Sequence, residues 1–590
     1  MQRGTAGTSE TAPETQAFAG FSLHADGTLY RGNKIVSLPP KELQALRLLL
    51  DHAGKIVTPA QLREALWGDV HITADSVPRC ISSLRARLEP DNCIQTIYKR
   101  GYRLMAYVQA GTATESVSTQ RLAITPFVSE AHVPGHLGSA IAEELIAYLV
   151  EASLPSIAIA ARDSIFNLHR RGLSAVEIGR TLDTDLVLTG QITPFASHYR
   201  MHLEMIRVAD GAETWIEDLL FEQSRVADIE LELAQRLLVR LGTPGFLIED
   251  LHAPAARHPE AWELYCRGRY ECQTMLRHRM QDGMQLLMRA LELDPGFIQA
   301  RTELVYLLCY QSHCGFMPPK AAGEAIRRTI TEAMNLNADN EILLPALGWV
   351  RFYLDHDMAG ALRAFRQSEH IAFNLDVSRL CVMFALSRHR FEEAIQICRA
   401  ALRVDPFSPW LHGRLAWSLC LAGQTEAALE CVHHTAAQFP GHVSIGMYGI
   451  PILAYAGETA EALEIATEIV NWQPSLDMAA AAHAYALACA GRLAEARTMM
   501  EQLQWLSHER YVLPSFNPAV WLTLNEPEKA LQELRRSEEQ RCPWFFQILA
   551  DPRLKPLHGN AEFERMRDSL RIMEEQAASD DEPPRDFRHP

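Results

Sequence analysis

Apolar residues recur along this chain with changing periods, and the changes mark its parts. Between Asp75 and Leu88, the residues Val77, Ile81, Leu84 and Leu88 stand at i, i+4, i+7 and i+11, which is one stripe of an amphipathic helix. Arg79, Ser82, Ser83 and Ala86 fall on the opposite side, and Arg85 and Arg87 flank the stripe. One face of such a helix is available for burial while the other carries small or basic side chains, as suits a helix lying in a DNA major groove. Pro78 is acceptable only in a first turn, where a missing N–H costs nothing. Asp75 or Thr73 would cap that start. Residues 97–103 read as a hairpin arm. There Gly101 permits a turn that other residues resist, and Lys99, Arg100 and Arg103 would reach phosphates. Upstream, residues 21–29 are strand-like and residues 38–46 open a first helix. Thr58-Pro59-Ala60-Gln61 then reads as a capping box with proline at the first helical position.

From residue 121 short strands and helices alternate. Residues 121–127 and 156–161 are strand-like, and residues 137–151 and 175–182 have a helical period. Residues 185–192 form an apolar strand, and residues 199–208 and 214–220 alternate about Asp210-Gly211, a hairpin signal. The order βαβαβββ predicts a small α/β module. From about residue 258 the pattern is helical and repeats itself. Ala422-Gly423, Ala456-Gly457 and Ala490-Gly491 are 34 residues apart, as are Pro406, Pro440 and Pro474, and Ala428, Ala462, Ala496 and Ala530. A helix-turn-helix period of 34 is the tetratricopeptide signature. Alanine lets paired helices approach, glycine ends the first helix and proline stops the second.

The first of these parts resembles the OmpR/PhoB-type winged-helix DNA-binding domain. The likeness rests on Leu38-Pro39-Pro40-Lys41-Glu42-Leu43, Gly54-Lys55-Ile56-Val57-Thr58, Leu62-Arg63-Glu64-Ala65-Leu66-Trp67-Gly68, Ile81-Ser82-Ser83-Leu84-Arg85 and Gly101-Tyr102-Arg103-Leu104, in that order. It implies duplex promoter DNA as partner. The DNA-facing residues would be Arg79, Ser82, Ser83, Arg85 and Arg87 on the helix, with Lys99, Arg100 and Arg103 on the wing. Family members often carry Arg or His where this chain has Cys80, Ser82 and Ser83. The α/β part, through residues 186–192 and Glu213-Thr214-Trp215, resembles the module similar to the N-terminal domain of TolB.

The expected architecture is therefore multidomain and mainly α. A disordered tail (1–20) precedes the α+β winged helix (21–107), and a linker (108–120) leads to the α/β module (121–225). An α-solenoid of tetratricopeptide repeats with a capping helix (258–575) and a second disordered tail (576–590) complete it. This arrangement resembles the HilA-type activators of type III secretion and invasion genes.

Composition changes that picture in one respect. The chain of 590 residues has a net charge of −17, which opposes nucleic-acid binding by the whole. Residues 21–107 nevertheless hold twelve lysines and arginines against eight acids, a net +4 that leaves −21 for the rest. A basic module on an acidic body presents one part to DNA and repels it from the remainder. Nothing reads as a signal peptide or as an apolar run of about 18 residues, so a cytoplasmic protein without a membrane partner is expected. The 12 cysteines show no Cys-x-x-Cys pair and are expected as free, reduced thiols. About 20 residues precede the winged helix, too few for a phospho-acceptor receiver domain.

No phosphate loop, His-Glu-x-x-His or Gly-x-Ser-x-Gly motif occurs. The chain is therefore expected to be no enzyme and to need no cofactor. Glu143-Glu144 is not read as an acid/base pair, because neighbours on a helix face different ways. His433-His434 reads as a solvated or satisfied pair rather than a ligand set, and Trp349, Trp410, Trp417 and Trp472 as repeat core rather than a ligand box. The expected function is sequence-specific transcriptional regulation. Promoter DNA, RNA polymerase, a protein or peptide in the repeat groove and a second copy of the chain are the expected partners. Two alternatives stand beside it: an interaction scaffold whose winged helix docks protein, and a ligand-sensing regulator of metabolic genes.

Overall fold

A computed structural model of the chain describes residues 15–18, 21–24, 28–31, 34–36, 38–52, 55–68, 76–88, 94–97, 100–104, 109–110, 120–152, 157–222, 225–241, 258–272, 276–336, 341–368, 375–472 and 476–580. It divides into two compact units, Met1–Arg121 with Leu149–Ala158, and Leu122–Tyr148 with Ile159–Pro590.

The first unit runs β1 (Thr15–Phe18), β2 (Phe21–His24), β3 (Leu29–Arg31), β4 (Lys34–Val36), α1 (Pro40–Asp51), β5 (Ile56–Val57), α2 (Pro59–Trp67), α3 (Ser76–Arg87), β6 (Ile94–Ile97), β7 (Gly101–Leu104) and β8 (Gln109–Ala110). One sheet has the order β4-β3-β2-β1-β8, the other β5-β7-β6. The stripe Val77, Ile81, Leu84 and Leu88 is buried against Leu46 and Leu49 of α1, Leu62 and Leu66 of α2, and Ile94 and Leu104 of the second sheet. The capping box forms as expected: Thr58 Oγ1 accepts from Gln61 N–H, and Gln61 Oε1 accepts from Thr58 N–H. Thr73 and Asp75, the expected caps of α3, lie outside the described residues.

Two boundaries need correcting. Thr15–Phe18, placed in a disordered tail, is β1, and Gln109–Ala110, placed in a linker, is β8. The two strands pair, Gln16 with Ala110 and Ala17 with Gln109. Neither segment has a period of its own. Each is held by backbone hydrogen bonds to a strand that only the folded hairpin presents.

Next in the chain comes the α/β module, most of it in the second unit: β9 (Gln120–Ile124), β10 (Val128–Ser129), α4 (Leu137–Ala152), β11 (Ile157–Ile159), α5 (Arg162–Arg170), α6 (Ala175–Thr181), β12 (Leu186–Phe195), β13 (His198–Arg207) and β14 (Glu213–Phe221). β12 pairs in parallel with β9 and β10 and antiparallel with β13, which pairs with β14. The β13–β14 turn is closed by Asp210, whose Oδ1 accepts from Ala212 N–H at 3.1 Å. Helix α7 (Val226–Arg240) follows.

Eight packed helix pairs come next among the described residues. They are α8 (Pro259–Cys272) with α9 (Arg277–Leu293), α10 (Ile298–His313) with α11 (Pro319–Leu336), α12 (Leu344–Val350) with α13 (Met358–Gln367), α14 (Leu375–Ser387) with α15 (Phe391–Val404), α16 (Pro409–Leu421) with α17 (Thr425–Gln438), α18 (Ile450–Ala456) with α19 (Thr459–Trp472), α20 (Asp477–Cys489) with α21 (Leu493–Glu509), and α22 (Asn517–Thr523) with α23 (Pro527–Glu539). Within a repeat the turn is made by one left-handed residue. Gly423, Gly457 and Gly491 have φ of +78°, +93° and +79°. The same position is His389 (+56°) one period earlier and Asn525 (+61°) one period later. In all five the next residue donates its N–H to the carbonyl five residues back, as Gln424 does to Leu419 and Glu526 to Trp521, which is the Schellman closure.

Trp349 and Trp417 are fully buried, as repeat-core residues should be, whereas Trp410 is only half-buried and the Trp472 side chain lies outside the described residues. After the repeats the chain turns back on them through α24 (Phe545–Ile548). The Trp544 ring stacks on His313 at 4.2 Å and meets Trp417, Tyr448 and Phe516 edge-on or tilted. Phe546 meets Phe352 at 5.3 Å. A segment that touches the first helices of so many repeats lies on the face they share, so part of the repeat groove is filled by the chain itself. The last helix, α25 (Ala561–Asp580), continues past the expected tail boundary at residue 576.

Candidate nucleic-acid interface

Helix α3 shows two kinds of surface. Its buried stripe fixes its rotation, and that rotation leaves Arg79, Ser82 and Arg87 exposed. The helix is also anchored by a residue that the sequence did not single out. Glu42, buried on α1, accepts a hydrogen bond from Ser83 Oγ at 2.5 Å and pairs with Arg87 Nε at 3.0 Å. Its capture of Ser83 leaves that hydroxyl half-buried, while the Arg87 side chain remains 42% exposed. Cys80 is half-buried beside these groups, and burial together with the Glu42 charge pushes its thiol up.

Arg85 has a different role from the one expected. Its guanidinium folds back on β6, donating from Nε and Nη2 to Ile94 O at 2.9 and 2.7 Å and from Nη2 to Thr96 Oγ1 at 2.7 Å. It ties α3 to the wing, so its donors are engaged within the protein. Arg103, expected to reach phosphates, is buried at 7% exposure. The correction has a simple cause: β7 is the central strand of β5-β7-β6 and all four of its residues are buried. Arg100, at the turn before β7, is exposed. Lys99 lies outside the described residues.

The turn itself depends on Gly101. With φ +141°, a Cβ there would stand 2.1 Å from Val57 O, so β5 can lie against β7 only if the residue has no side chain. Arg79, Ser82 and Arg87 on α3 are thus exposed, and so is Arg100 at the root of the wing.

Residues 32–104 match the family described as "Transcriptional regulatory protein, C terminal". This module is of the OmpR/PhoB type. Residues 385–444 match a tetratricopeptide-repeat family, in the stretch where α14 to α17 pack. Over 395 residues the chain is 25% identical to the transcriptional regulator HilA of Salmonella typhi, covering 66% of this chain and 70% of that protein. A putative adenylate cyclase 3 of Rhizobium meliloti is 26% identical over 192 residues, 31% of this chain and 32% of that one. Among solved structures, the APC/C hetero-tetramer Cut9-Hcn1 aligns with a TM-score of 0.37 at 14% identity, covering 58% of this chain and 59% of that one. The chain thus joins an OmpR/PhoB-type module of transcriptional regulators to an α-solenoid of tetratricopeptide repeats, and is HilA-like over about two thirds of its length. No helix among the described residues is long and apolar enough to cross a membrane.

Proposed function

We propose that the chain is a sequence-specific, duplex-DNA-binding activator of transcription acting in the cytoplasm, with HilA-like target genes of the virulence and type III secretion class. The observation that supports this best is the exposed surface of α3 and the wing root within an OmpR/PhoB-type module. A helix held by its apolar stripe, with Arg79 exposed and Arg87 partly exposed next to its Glu42 partner, offers cations of the kind that meet the phosphates flanking a major groove. Ser82 is the exposed hydroxyl left to meet a base edge, Ser83 being spent on Glu42. The repeats and the α/β module supply the contact to RNA polymerase or another protein, and pairing of two chains would raise the avidity of a small DNA-binding module.

The test is a mobility-shift titration over a range of salt. Exchanging Arg79 and Arg100 together for Ala should weaken binding and lower the salt slope by about 0.9 for each phosphate that is no longer neutralised. Arg85→Ala should instead lower the melting temperature of the module, because it unties α3 from β6. Unchanged affinity and slope in the Arg79/Arg100 variant would remove this surface as the DNA contact.

A further inference from the structure

The sequence reads His433-His434 as a solvated or satisfied pair, and the structure brings two carboxylates to one of them. His433 lies on α17 of one repeat. In the next repeat, Glu458 immediately precedes α19 and Glu461 lies in its first turn. His433 Nε2 is 2.8 Å from Glu458 Oε2 and 3.4 Å from Glu461 Oε2, and one donor atom from each residue falls within 4.8 Å of the other two. Donors held about 2.1 Å from one ion stand about 3.0 Å apart at right angles and about 3.4 Å apart at the tetrahedral angle, so the two measured separations already suit a shared centre. The backbone under the ligands is fixed. The Glu458 N–H donates to Leu453 O at 2.9 Å to close the Gly457 turn, and Glu458 O accepts from Ala462 N–H at 3.0 Å as α19 begins. The His433, Glu458 and Glu461 side chains are 43%, 38% and 43% exposed, which leaves an entry path for an ion and room for water to complete its coordination.

The neighbouring repeats show that two acids at this turn are not routine. The positions of Glu458 and Glu461 recur every 34 residues, as Arg390 and Glu393, Gln424 and Ala427, Arg492 and Glu495, and Glu526 and Lys529. Charge cancels or is absent in each of those pairs. Arg492 binds Glu495 at 2.6 Å, and Lys529 binds Glu526 at 2.6 Å. Of the five pairs, 458 and 461 alone carry two like charges, which lie on one side of a helical turn and oppose its stability unless a cation joins them. Among the described residues no lysine or arginine pairs with either carboxylate; the group between them is an imidazole, which can ligate a metal as a guanidinium cannot.

We propose that His433, Glu458 and Glu461 form a site for a divalent transition-metal ion of the zinc class, which ties α17 to α19 across the boundary between two repeats. An imidazole nitrogen with two carboxylates is a donor set for zinc rather than for calcium or magnesium, whose sites are built of oxygen. The ion cancels the two like charges. It takes the place of the proton that Nε2 shares with Glu458, so affinity should fall as the pH is lowered. Nothing in this site depends on DNA binding.

Calorimetric titration of zinc chloride into the full chain, untagged, stripped of metal and held in excess magnesium, tests it. One equivalent should bind, and His433→Ala and Glu461→Gln, both at exposed positions, should each weaken that binding by roughly tenfold or more. Glu458→Arg restores the opposed charges of the neighbouring repeats. It should abolish zinc binding yet melt at or above the temperature of the metal-free wild type. Zinc should raise the melting temperature of the wild type and leave that of Glu458→Arg unchanged. Cobalt bound in place of zinc should show no thiolate charge-transfer band, since no cysteine belongs to the site. If the wild type takes up no zinc, if the three variants bind it as tightly as the wild type, or if the cobalt complex shows the thiolate band, the cluster is a surface ion pair and the proposal is wrong.

Discussion

At the scale of single residues, backbone conformation and space can be separated at Gly457. Its φ of +93° disfavours any residue with a Cβ, yet nothing lies within 4 Å of where that Cβ would stand. The cost of a substitution there is therefore conformational alone. Gly457→Val should destabilise the chain by roughly 1–2 kcal/mol, whereas Gly457→Asn should cost a fraction of that, because Asn tolerates the left-handed region. Thermal unfolding of the two variants checks this, and equal losses would point to a packing role for the position. The repeats already contain the comparison, since Asn525 and His389 occupy the same turn position. At Gly101 both costs act, so even Ala should disrupt the wing.

At the scale of elements, the contact in which Asp405, at the end of α15, accepts the Ser164 N–H of α5 at 2.9 Å should carry a pH signature. Burial, with the charge of Asp163 nearby, pushes Asp405 up to about 7. A carboxyl raised in the folded chain is protonated there while the unfolded chain has already lost its proton. Stability from this group is therefore present at low pH and lost as pH rises toward the folded value. An amide in its place does not titrate. The stability of Asp405→Asn relative to the wild type should thus rise between pH 5 and pH 8, by on the order of 1 kcal/mol for each pH unit crossed below 7. A difference independent of pH would show that Asp405 is ionised throughout. The same element scale explains Glu143 and Glu144. Neighbours on a helix do face apart, but Arg269 is long enough to reach both, and both become buried ion-pair partners. Truncating Arg269 would leave two buried carboxylates without that partner, a change of the kind that costs about 3–5 kcal/mol.

At the scale of the whole molecule, the charge split of +4 in residues 21–107 against −21 elsewhere matches the division into a first unit containing α3 and the wing and a second containing the repeats. A fragment of residues 1–121 should bind promoter DNA in vitro but fail to regulate in cells at abundance equal to the full chain. Regulation by the fragment as strong as that by the full chain would leave the second unit without a part in output.

The sequence alone determined what depends on local period and on special residues. The stripe Val77, Ile81, Leu84 and Leu88 is the buried face of α3 because a helix repeats every 3.6 residues. The 34-residue step survives in the structure because each repeat needs one left-handed turn and one close helix approach. The Thr58 capping box is likewise a matter of four consecutive residues. What only the tertiary structure decided is where side chains and segments without a period find their partners. Arg85 and Arg103 look like surface cations in the sequence. One is drawn to the carbonyl of Ile94 and the other covered in a central strand, because charge says nothing about which strand will lie alongside. Thr15–Phe18 has no strand signal until the hairpin beside it offers unpaired backbone groups. Ser164 and Asp405 are 241 residues apart, a pairing that no periodicity can express, since it exists only once two separately encoded elements have folded and met.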